Sequence, residues 1–305
     1  MVLKASTIKA TPFTTFLLLV MIFVVVVFFQ APPPSQPNNS NDTNVWNDHS
    51  QQTFARQIRE LQEGHQRMLV LLDKLFCEAN LVLPSGGFCL DKDKLIVGFN
   101  NFWSAKLCAG LETFFGRSSV ADLGAGLGHY GRCFLRNTAG MLTHSNKEQL
   151  DDLNKDYLSQ MNQAGLLGAP QVIKSWNGWD AAANIDEITN GRIKSVDLSS
   201  PVDLGGPFDW VMSLEVGEHI PRSGQKNFID NLVKHACLGV VVSWAVPGQP
   251  GHSHVNCRTN DYIKQEMVAR GMVVDEAAEV KLRNQSDLQH FKNTLMVFKF
   301  PKKIC

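Results

Sequence analysis

Three side chains that can bind protons or metal ions lie close together in the segment "LEVGEH", residues 214–219. Glu215, Glu218 and His219 directly follow the apolar run "FDWVMS", which is typical of a buried strand. Open α/β sheets bind their ligands at the carboxyl ends of such strands. Two carboxylates and an imidazole at this position could form the wall of a cofactor pocket, or they could hold a divalent cation.

A glycine-rich turn follows an earlier apolar run, in "VADLGAGLGHYG". Gly124, Gly126 and Gly128 allow a tight turn and a close approach of the backbone to a ligand. Together with Gly131, the last two also fit GxGxxG, which is typical of dinucleotide sites. Asp122, just before the first glycine, would repel a pyrophosphate but attract the cationic amino-acid part of a different ligand.

An acidic residue followed by GxGxG, here "DLGAGLG", resembles the first motif of the class I S-adenosylmethionine-dependent methyltransferases. The resemblance extends over roughly residues 81–300. It implies a doubly wound, Rossmann-like α/β sheet that is mostly parallel, with an antiparallel last strand in "NTLMVFKF". It also implies an enzyme that uses S-adenosyl-L-methionine. The order of elements is similar to that of membrane-anchored methyltransferase-like proteins of animals.

The resemblance implies a set of cofactor-binding residues along the strand ends. They are Asp122, Gly124, Ala125, Gly126, Gly128, Asn177, Asp197, Leu198 and Leu214. Asn177 in "SWNG" stands where the family has an acidic residue that holds the ribose, with Asp180 three residues later. Asparagine lacks the usual charge. This departure favours the alternative function, a non-catalytic membrane-anchored binding or scaffold protein that retains the fold.

The spacing ExxEH in "LEVGEH" resembles the metal site of small-RNA 2′-O-methyltransferases and of some ubiquinone-pathway O-methyltransferases. That resemblance implies that Glu215, Glu218, His219 and a later histidine hold Mg²⁺ or Mn²⁺. "GHSHVN" offers His254 as the later histidine, with His252 in reserve. The alternatives are a plain cofactor wall and, for His254, a loop histidine bonded to backbone.

Methyl transfer needs an acceptor oxygen aligned with the methyl group and a way to remove its proton. Glu218, His219 and His254 are the predicted catalytic residues, because a chelated ion would bind a vicinal diol and lower the pKa of its hydroxyl. The predicted reaction is therefore O-methylation of a small-molecule or glycoconjugate acceptor. Four residues after the fifth strand are predicted to contact the acceptor or to shape a turn: Trp244, Pro247, Gln249 and Asn256.

Apolar runs alternate with helical patterns after residue 81, as in an α/β domain. The predicted strands are "SSVADLG", "PQVIKSW", "RIKSVDL", "FDWVMSL", "LGVVVSWAV" and "NTLMVFKF". Helices are predicted in "KEQLDDLNKDYLSQMNQAG", in "GQKNFIDNLVKHACLG" and in "TNDYIKQEMVARG", the last with Thr259 as N-cap and Gly271 near its end.

The first 29 residues differ in composition from the rest. Residues 13–29 carry no charge and predict either a transmembrane signal anchor, after a cytosolic tail at residues 1–12, or a cleaved signal peptide. The bulky Phe28 and Phe29 before the prolines favour the anchor. Lys4 and Lys9 precede this segment, and no Lys or Arg follows it until Arg56, which predicts a lumenal or extracellular catalytic domain. The terminal "KKIC" resembles a cytosolic retrieval signal, but we interpret it as a solvated tail.

Three further segments follow the anchor. Residues 30–53 are rich in Pro, Asn and Ser and predict a disordered stem, with glycosylation sequons at Asn38 and Asn41. Residues 54–80 predict an amphipathic helix that packs on the domain or forms a homodimer. Residues 81–305 form the predicted methyltransferase domain, with a third sequon at Asn284.

The composition excludes some partners. Lys and Arg number 29 and Asp and Glu also 29, so no charge excess indicates nucleic acid. Seven cysteines are too few for a disulfide scaffold. Cys77 and Cys89 are the predicted pair in an oxidising lumen. Cys108, Cys133 and Cys237 lie in apolar surroundings and are predicted to be small core residues.

Overall fold

The computed structural model describes residues 103–137 and 147–302, together with Cys305, Leu83, residues 85–87 and helical positions between residues 53 and 75. The predicted anchor at residues 13–29 and the stem at residues 30–53 lie outside the described residues, apart from Thr53. No helix in the described ranges has both the length and the apolar composition needed to cross a membrane. The chain divides into two compact units, residues 1–59 and 60–305.

A seven-stranded sheet forms the centre of the second unit. Its strands are β1 (Ser119–Leu123), β2 (Ser175–Asp180), β3 (Ile193–Ser195), β4 (Phe208–Leu214), β5 (Ala236–Ser243), β6 (Val273–Val274) and β7 (Met296–Lys299). They lie in the order β3-β2-β1-β4-β5-β7-β6. Strands β1 to β5 are parallel, and β7 runs antiparallel to both β5 and β6. The mostly parallel sheet with an antiparallel last strand is confirmed.

Eight helices with described bounds accompany the sheet. They are α1 (Ala105–Phe115), α2 (His129–Phe134), α3 (Lys147–Gln163), α4 (Ile185–Ile188), α5 (Gln225–Lys234), α6 (Asn260–Val268), α7 (Glu276–Gln285) and α8 (Gln289–Thr294). Thr259 is the N-cap of α6, where its hydroxyl accepts a hydrogen bond from the Tyr262 amide at 3.2 Å. The three helices predicted from sequence are present as α3, α5 and α6.

Successive residues of the central strands belong to different hydrophobic clusters. Val120 packs in one cluster and Ala121 in the other, and Val241 and Val240 divide in the same way. Successive side chains of a strand point to opposite faces, so both faces of the sheet are covered. A sheet buried on both sides leaves the carboxyl ends of its strands as the place where polar side chains can meet a ligand.

Two disulfide bonds correct the prediction for three cysteines. Cys108 on α1 pairs with Cys133 on α2 across a Cα–Cα distance of 6.7 Å, and Cys237 on β5 pairs with Cys305 across 5.5 Å. Cys108, Cys133 and Cys237 are buried, as expected for core positions, whereas Cys305 is exposed. The fold brings each pair within disulfide reach. The predicted Cys77–Cys89 pair lies outside the described residues.

Candidate active site

A cavity of about 730 Å³ lies at the carboxyl ends of β1, β2 and β4. One side is lined by the turn after β1 and by Asp180 at the end of β2, and the other by Glu215, Glu218 and His219. His252 and His254, from the loop after β5, complete that second side. The cavity therefore joins the two chemical motifs that the sequence places about ninety residues apart.

The glycine turn after β1 is left-handed at each of its three predicted glycines. The φ angles of Gly124, Gly126 and Gly128 are 84°, 53° and 73°. A side chain at Gly124 would also collide with Val216, since an added Cβ would lie 2.2 Å from that side chain. Gly128 is the N-cap of α2. Glycine is required here because L-residues are strained at these angles and because the β4 loop packs against the turn.

Asp122 lies near the end of β1 and is 3% exposed. The Trp176 indole donates a hydrogen bond to its carboxylate at 3.2 Å. Burial raises the pKa of Asp122 to about 8, and the indole bond opposes this shift only in part. A cationic ligand in the cavity would favour the ionised carboxylate.

Asp180, and not Asn177, is the polar residue at the end of β2. The prediction that Asn177 ends the strand is wrong, because β2 runs from Ser175 to Asp180 and Asn177 is an exposed mid-strand residue that does not line the cavity. The Asp180 carboxylate accepts hydrogen bonds from the Gly126 amide at 2.8 Å and the Ala182 amide at 2.9 Å. Burial raises the pKa of Asp180, and these amide bonds oppose the increase. The carboxylate that seemed to be missing is therefore present.

Of the other residues predicted to bind the cofactor, some line the cavity and one does not. Leu198 and Leu214 both line the cavity, and Ala125 does so as well. Asp197 is exposed, outside the cavity lining, and its carboxylate accepts hydrogen bonds from Ser199 and Ser200 in its own turn. The structure does not bring Asp197 to the site, because this short Asx-type turn points its carboxylate back to the local backbone.

Glu218, His219 and His254 each offer a ligand atom within 4.8 Å of the others. Glu218 is fully buried, and neither of its carboxyl oxygens has a hydrogen-bond partner among the described residues. Burial, and then the nearby charge of Glu215, raise the pKa of Glu218 to about 8. An unpaired buried carboxylate is costly, so this residue requires a proton or a cation.

The two histidines of the group face each other edge to face, with ring centroids 5.1 Å apart. Burial, followed by the proximity of His254, lowers the pKa of His219. His254 Nδ1 lies 3.1 Å from the Gln249 carbonyl oxygen, and its Nε2 lies 4.0 Å from Glu218. A carbonyl can only accept, so Nδ1 carries the hydrogen of this bond and Nε2 is the ring nitrogen that faces Glu218.

The loop after β5 is fastened to the segment after β4. The amides of Val255 and Asn256 both donate to the Glu218 carbonyl, at 3.0 and 2.9 Å. Trp244 donates to the Asn256 carbonyl at 2.7 Å and packs on Gly217, where an added Cβ would lie 2.2 Å from the indole. Backbone contacts of this kind fix Glu218 and His254 relative to each other.

Of the four predicted acceptor contacts, Gln249 is the one that lines the cavity. Trp244 and Asn256 are fully buried beneath the loop, and Pro247 is exposed outside the lining. Their sequence positions after β5 are near the site, but the backbone bonds just described direct Trp244 and Asn256 into the protein interior.

Glu215 lies close to Glu218 but does not belong to the three-residue group. Its carboxylate accepts hydrogen bonds from Gln249 and Thr294, and it is not among the side chains whose ligand atoms lie within 4.8 Å of one another. Three of the four predicted metal ligands are therefore brought together, and the fourth is engaged elsewhere.

Several lining residues were missed by the sequence analysis. Gly86 and Gly87 lie against the strand ends, and a Cβ on either would collide with the carbonyl of His219 or of Ala181. Trp103 lines the cavity and stacks on the rings of both His129 and Tyr157, while His290 and Phe291 come from α8. The glycine pair in "PSGG" was a usable signal, but no local pattern indicates that α8 reaches the site.

No protein-family model matches the chain, and no curated protein matches it. Among solved structures, the chain is similar to a TehB-like S-adenosylmethionine-dependent methyltransferase from Corynebacterium glutamicum, at 13% identity and a TM-score of 0.41, covering 70% of this chain and 98% of that one. It is also similar to magnesium protoporphyrin IX methyltransferase from Synechocystis, at 15% identity and a TM-score of 0.34, with coverage of 64% and 79%. A small RNA methyltransferase shows 13% identity and a TM-score of 0.38, with coverage of 64% and 25%. These similarities concern the fold alone, for which the strand order is the direct observation.

Proposed function

We propose that the chain is an S-adenosylmethionine-dependent methyltransferase that O-methylates a hydroxyl of an uncharged, sugar-like acceptor. The observation that carries this proposal is one cavity that combines Asp122 and the turn from Gly124 to Leu127 with the group Glu218, His219 and His254. One side fits a cationic nucleoside ligand, and the other offers the acid–base and chelating groups that a hydroxyl acceptor requires.

The cofactor side of the cavity is formed by Asp122, the glycine turn after β1 and Asp180. It fits the sulfonium donor in size and charge. Asp122 and Asp180 place two carboxyl groups in the cavity wall, which favours a ligand that carries an ammonium and a sulfonium charge. The cavity volume of about 730 Å³ lies within the usual range for small-molecule sites. S-adenosylmethionine supplies an electrophilic methyl group with its leaving group attached, so the protein has mainly to hold the acceptor in line.

A divalent cation fits the group formed by Glu218, His219 and His254. Glu218 is buried without a hydrogen-bond partner among the described residues, and a cation would compensate the charge that burial opposes. A metal ion bound there would supply the positive charge that orients and acidifies a hydroxyl. Two imidazoles in the set favour Mn²⁺ over Mg²⁺, because Mg²⁺ prefers oxygen ligands.

The charge of the cavity argues for an acceptor without phosphate or carboxylate groups. Four carboxyl-bearing residues line the cavity, and no Lys or Arg does so among the residues that the structure describes. Phosphate recognition normally uses Lys, Arg or several converging amides. A neutral polyol is therefore favoured over a phosphorylated acceptor or nucleic acid.

The proposed location is the lumen of the secretory pathway, behind a signal anchor at residues 13–29. The two disulfides support this location, since stable disulfides are typical of oxidising compartments. Asn284 of the third sequon is exposed near the end of α7. Acceptors in this lumen include glycans and secreted glycoproteins.

We also propose that the protein forms a homodimer through residues 54–80. Described positions of this segment are helical, and five of its apolar residues are exposed: Ile58, Leu61, Met68, Leu71 and Leu75. Exposed apolar residues along a helix favour a partner helix.

The test is a transfer assay with S-adenosylmethionine labelled on its methyl group. The oxidised full-length protein is incubated with neutral glycans and with their phosphorylated counterparts, each with and without a chelator. We expect transfer to a neutral diol-bearing acceptor that the chelator abolishes and that Glu218→Gln removes. Transfer only to phosphorylated acceptors would contradict the proposed acceptor class, and transfer unaffected by chelator would contradict the metal.

A further inference from the structure

The carboxylate of Glu215 connects two separate segments of the acceptor side. Its Oε2 accepts a hydrogen bond from Gln249 Nε2 at 2.5 Å. Its Oε1 lies 3.0 Å from Thr294 Oγ1, whose single hydrogen it shares with the His290 carbonyl at 2.8 Å. Gln249 belongs to the loop after β5, and Thr294 is the last residue of α8. One side chain from the end of β4 thus contacts both neighbouring walls of the cavity.

The backbone of Glu215 is held in an unusual conformation. Its φ angle is 56°, which is uncommon for a residue other than glycine. Its amide donates to Ser243 Oγ at 2.9 Å, which anchors the turn to the end of β5. Strain of this kind persists only where the surroundings fix it, and it concentrates at functional sites.

Gln249 connects Glu215 to His254 of the candidate metal group. Its side chain binds Glu215, while its own carbonyl accepts the hydrogen bond from His254 Nδ1 at 3.1 Å. That bond determines which ring nitrogen of His254 faces Glu218. Ligating histidines usually donate their second ring hydrogen to a carbonyl or a carboxylate, which fixes the ring orientation.

We propose that Glu215 is a positioning residue and not a metal ligand. With Gln249 and Thr294 it forms a clasp that fastens the loop after β5 to α8 and sets the orientation of His254. The contrast with Glu218 supports this assignment, because Glu218 has no hydrogen-bond partner among the described residues whereas both carboxyl oxygens of Glu215 accept one. The role of the clasp in methyl transfer rests on the proposed function, but the clasp itself does not.

Hydrogen–deuterium exchange of the oxidised full-length protein tests the clasp without any acceptor or metal. Thr294→Val and Gln249→Met each remove one arm and nearly preserve side-chain volume. Thr113→Val is the matched control, because Thr113 makes the same bond to the carbonyl four residues earlier, at 2.9 Å, but contacts no carboxylate. We expect amide exchange to rise by roughly tenfold in residues 246–256 for Gln249→Met and in residues 288–295 for Thr294→Val, since charge-assisted bonds are about twice as strong as neutral ones. The control should not change.

Glu215→Gln should raise exchange in residues 246–256 and 288–295 together. A clasp joins the two segments, so loss of its centre releases both. Exchange at wild-type rates in both segments of this variant would overturn the proposal, even if the protein later proves to be an active methyltransferase.

Mn²⁺ titration followed by electron paramagnetic resonance separates a ligand from a positioning residue. Glu218→Gln should weaken Mn²⁺ binding by more than about a hundredfold, and Glu215→Gln by about tenfold or less. Glu215→Gln combined with Gln249→Met should bind no more weakly than Glu215→Gln alone, because both act through one path. Equal losses in the two glutamate variants would make Glu215 a ligand and overturn the proposal. No Mn²⁺ binding by the wild-type protein would contradict the proposed metal, and the exchange experiment would still decide the clasp.

Discussion

The two sides of the cavity satisfy their buried polar groups in different ways. On the cofactor side, Asp180 accepts two backbone amides and Asp122 accepts the Trp176 indole. On the acceptor side, Glu218 is fully buried and has no hydrogen-bond partner among the described residues. The comparison teaches that the protein alone satisfies the buried carboxyl groups of the cofactor side, whereas the buried Glu218 carboxyl of the acceptor side requires a proton or a bound cation.

The largest expected effect concerns Glu218. Glu218→Gln removes the charge but keeps the shape, so we expect methyl transfer to fall by more than about a hundredfold, as for the loss of a metal ligand. Binding of S-adenosylhomocysteine, measured by calorimetry, should change by less than about threefold, because Glu218 belongs to the other side. A parallel loss of cofactor affinity would break the distinction between the two sides.

The next effect concerns the disulfide between α1 and α2. Cys108→Ser combined with Cys133→Ser should lower the free energy of unfolding by roughly 3 kcal/mol, because the bond closes a loop of 25 residues. Since α2 follows the glycine turn, cofactor affinity should fall as well. Denaturant unfolding measures the change, and Cys257→Ser serves as control because Cys257 is a free thiol. An unchanged unfolding midpoint would contradict the expectation.

A smaller effect is expected for Asp180. Asp180→Ala leaves the amides of Gly126 and Ala182 without their acceptor, so affinity for S-adenosylhomocysteine should fall by about 2 kcal/mol, or roughly thirtyfold. Asp197→Ala and Asn177→Ala are matched controls at exposed positions outside the cavity. If Asn177→Ala reduces affinity as much as Asp180→Ala, then the assignment of Asp180 as the cofactor-binding residue of β2 is wrong.

The last prediction concerns the dependence of stability on pH. Burial raises the pKa of Asp122 from 3.8 to about 8, so the folded state holds a proton that the unfolded state releases. Stability of the ligand-free protein should therefore fall as pH rises from about 4 to about 8, by at most about 1.4 kcal/mol per pH unit. Thermal unfolding of the wild type and of Asp122→Asn measures this, and the variant should show a weaker dependence. Equal slopes would show that other groups are responsible.

The sequence predicted the cofactor side better than the acceptor side, for a physical reason. The glycine turn and Asp122 lie within one continuous segment whose backbone requirements are visible in the residue types. Asp180 was missed because "SWNG" contains Asn and Gly, which disfavour strands, so the predicted strand "PQVIKSW" ended too early. Pairing of β2 with β1 from Ser175 to Trp179 overrides that local preference.

The acceptor side depends on contacts between distant segments. Glu218 and His254 are brought together by bonds from the loop after β5, and Glu215 is bound by Thr294, 79 residues later. No spacing in the sequence reports such contacts. The ExxEH pattern drew attention to Glu215, Glu218 and His219, but only the packing shows that Glu215 is hydrogen-bonded to Gln249 and Thr294 while Glu218 lies with His219 and His254.

Calorimetric titration of S-adenosylhomocysteine into the oxidised protein tests the central claim most directly. The cofactor side is complete without a metal or an acceptor, so the account predicts micromolar binding that is lost in Asp122→Ala and retained in Asp197→Ala. A folded wild-type protein that shows no detectable binding would contradict the account and favour the non-catalytic scaffold.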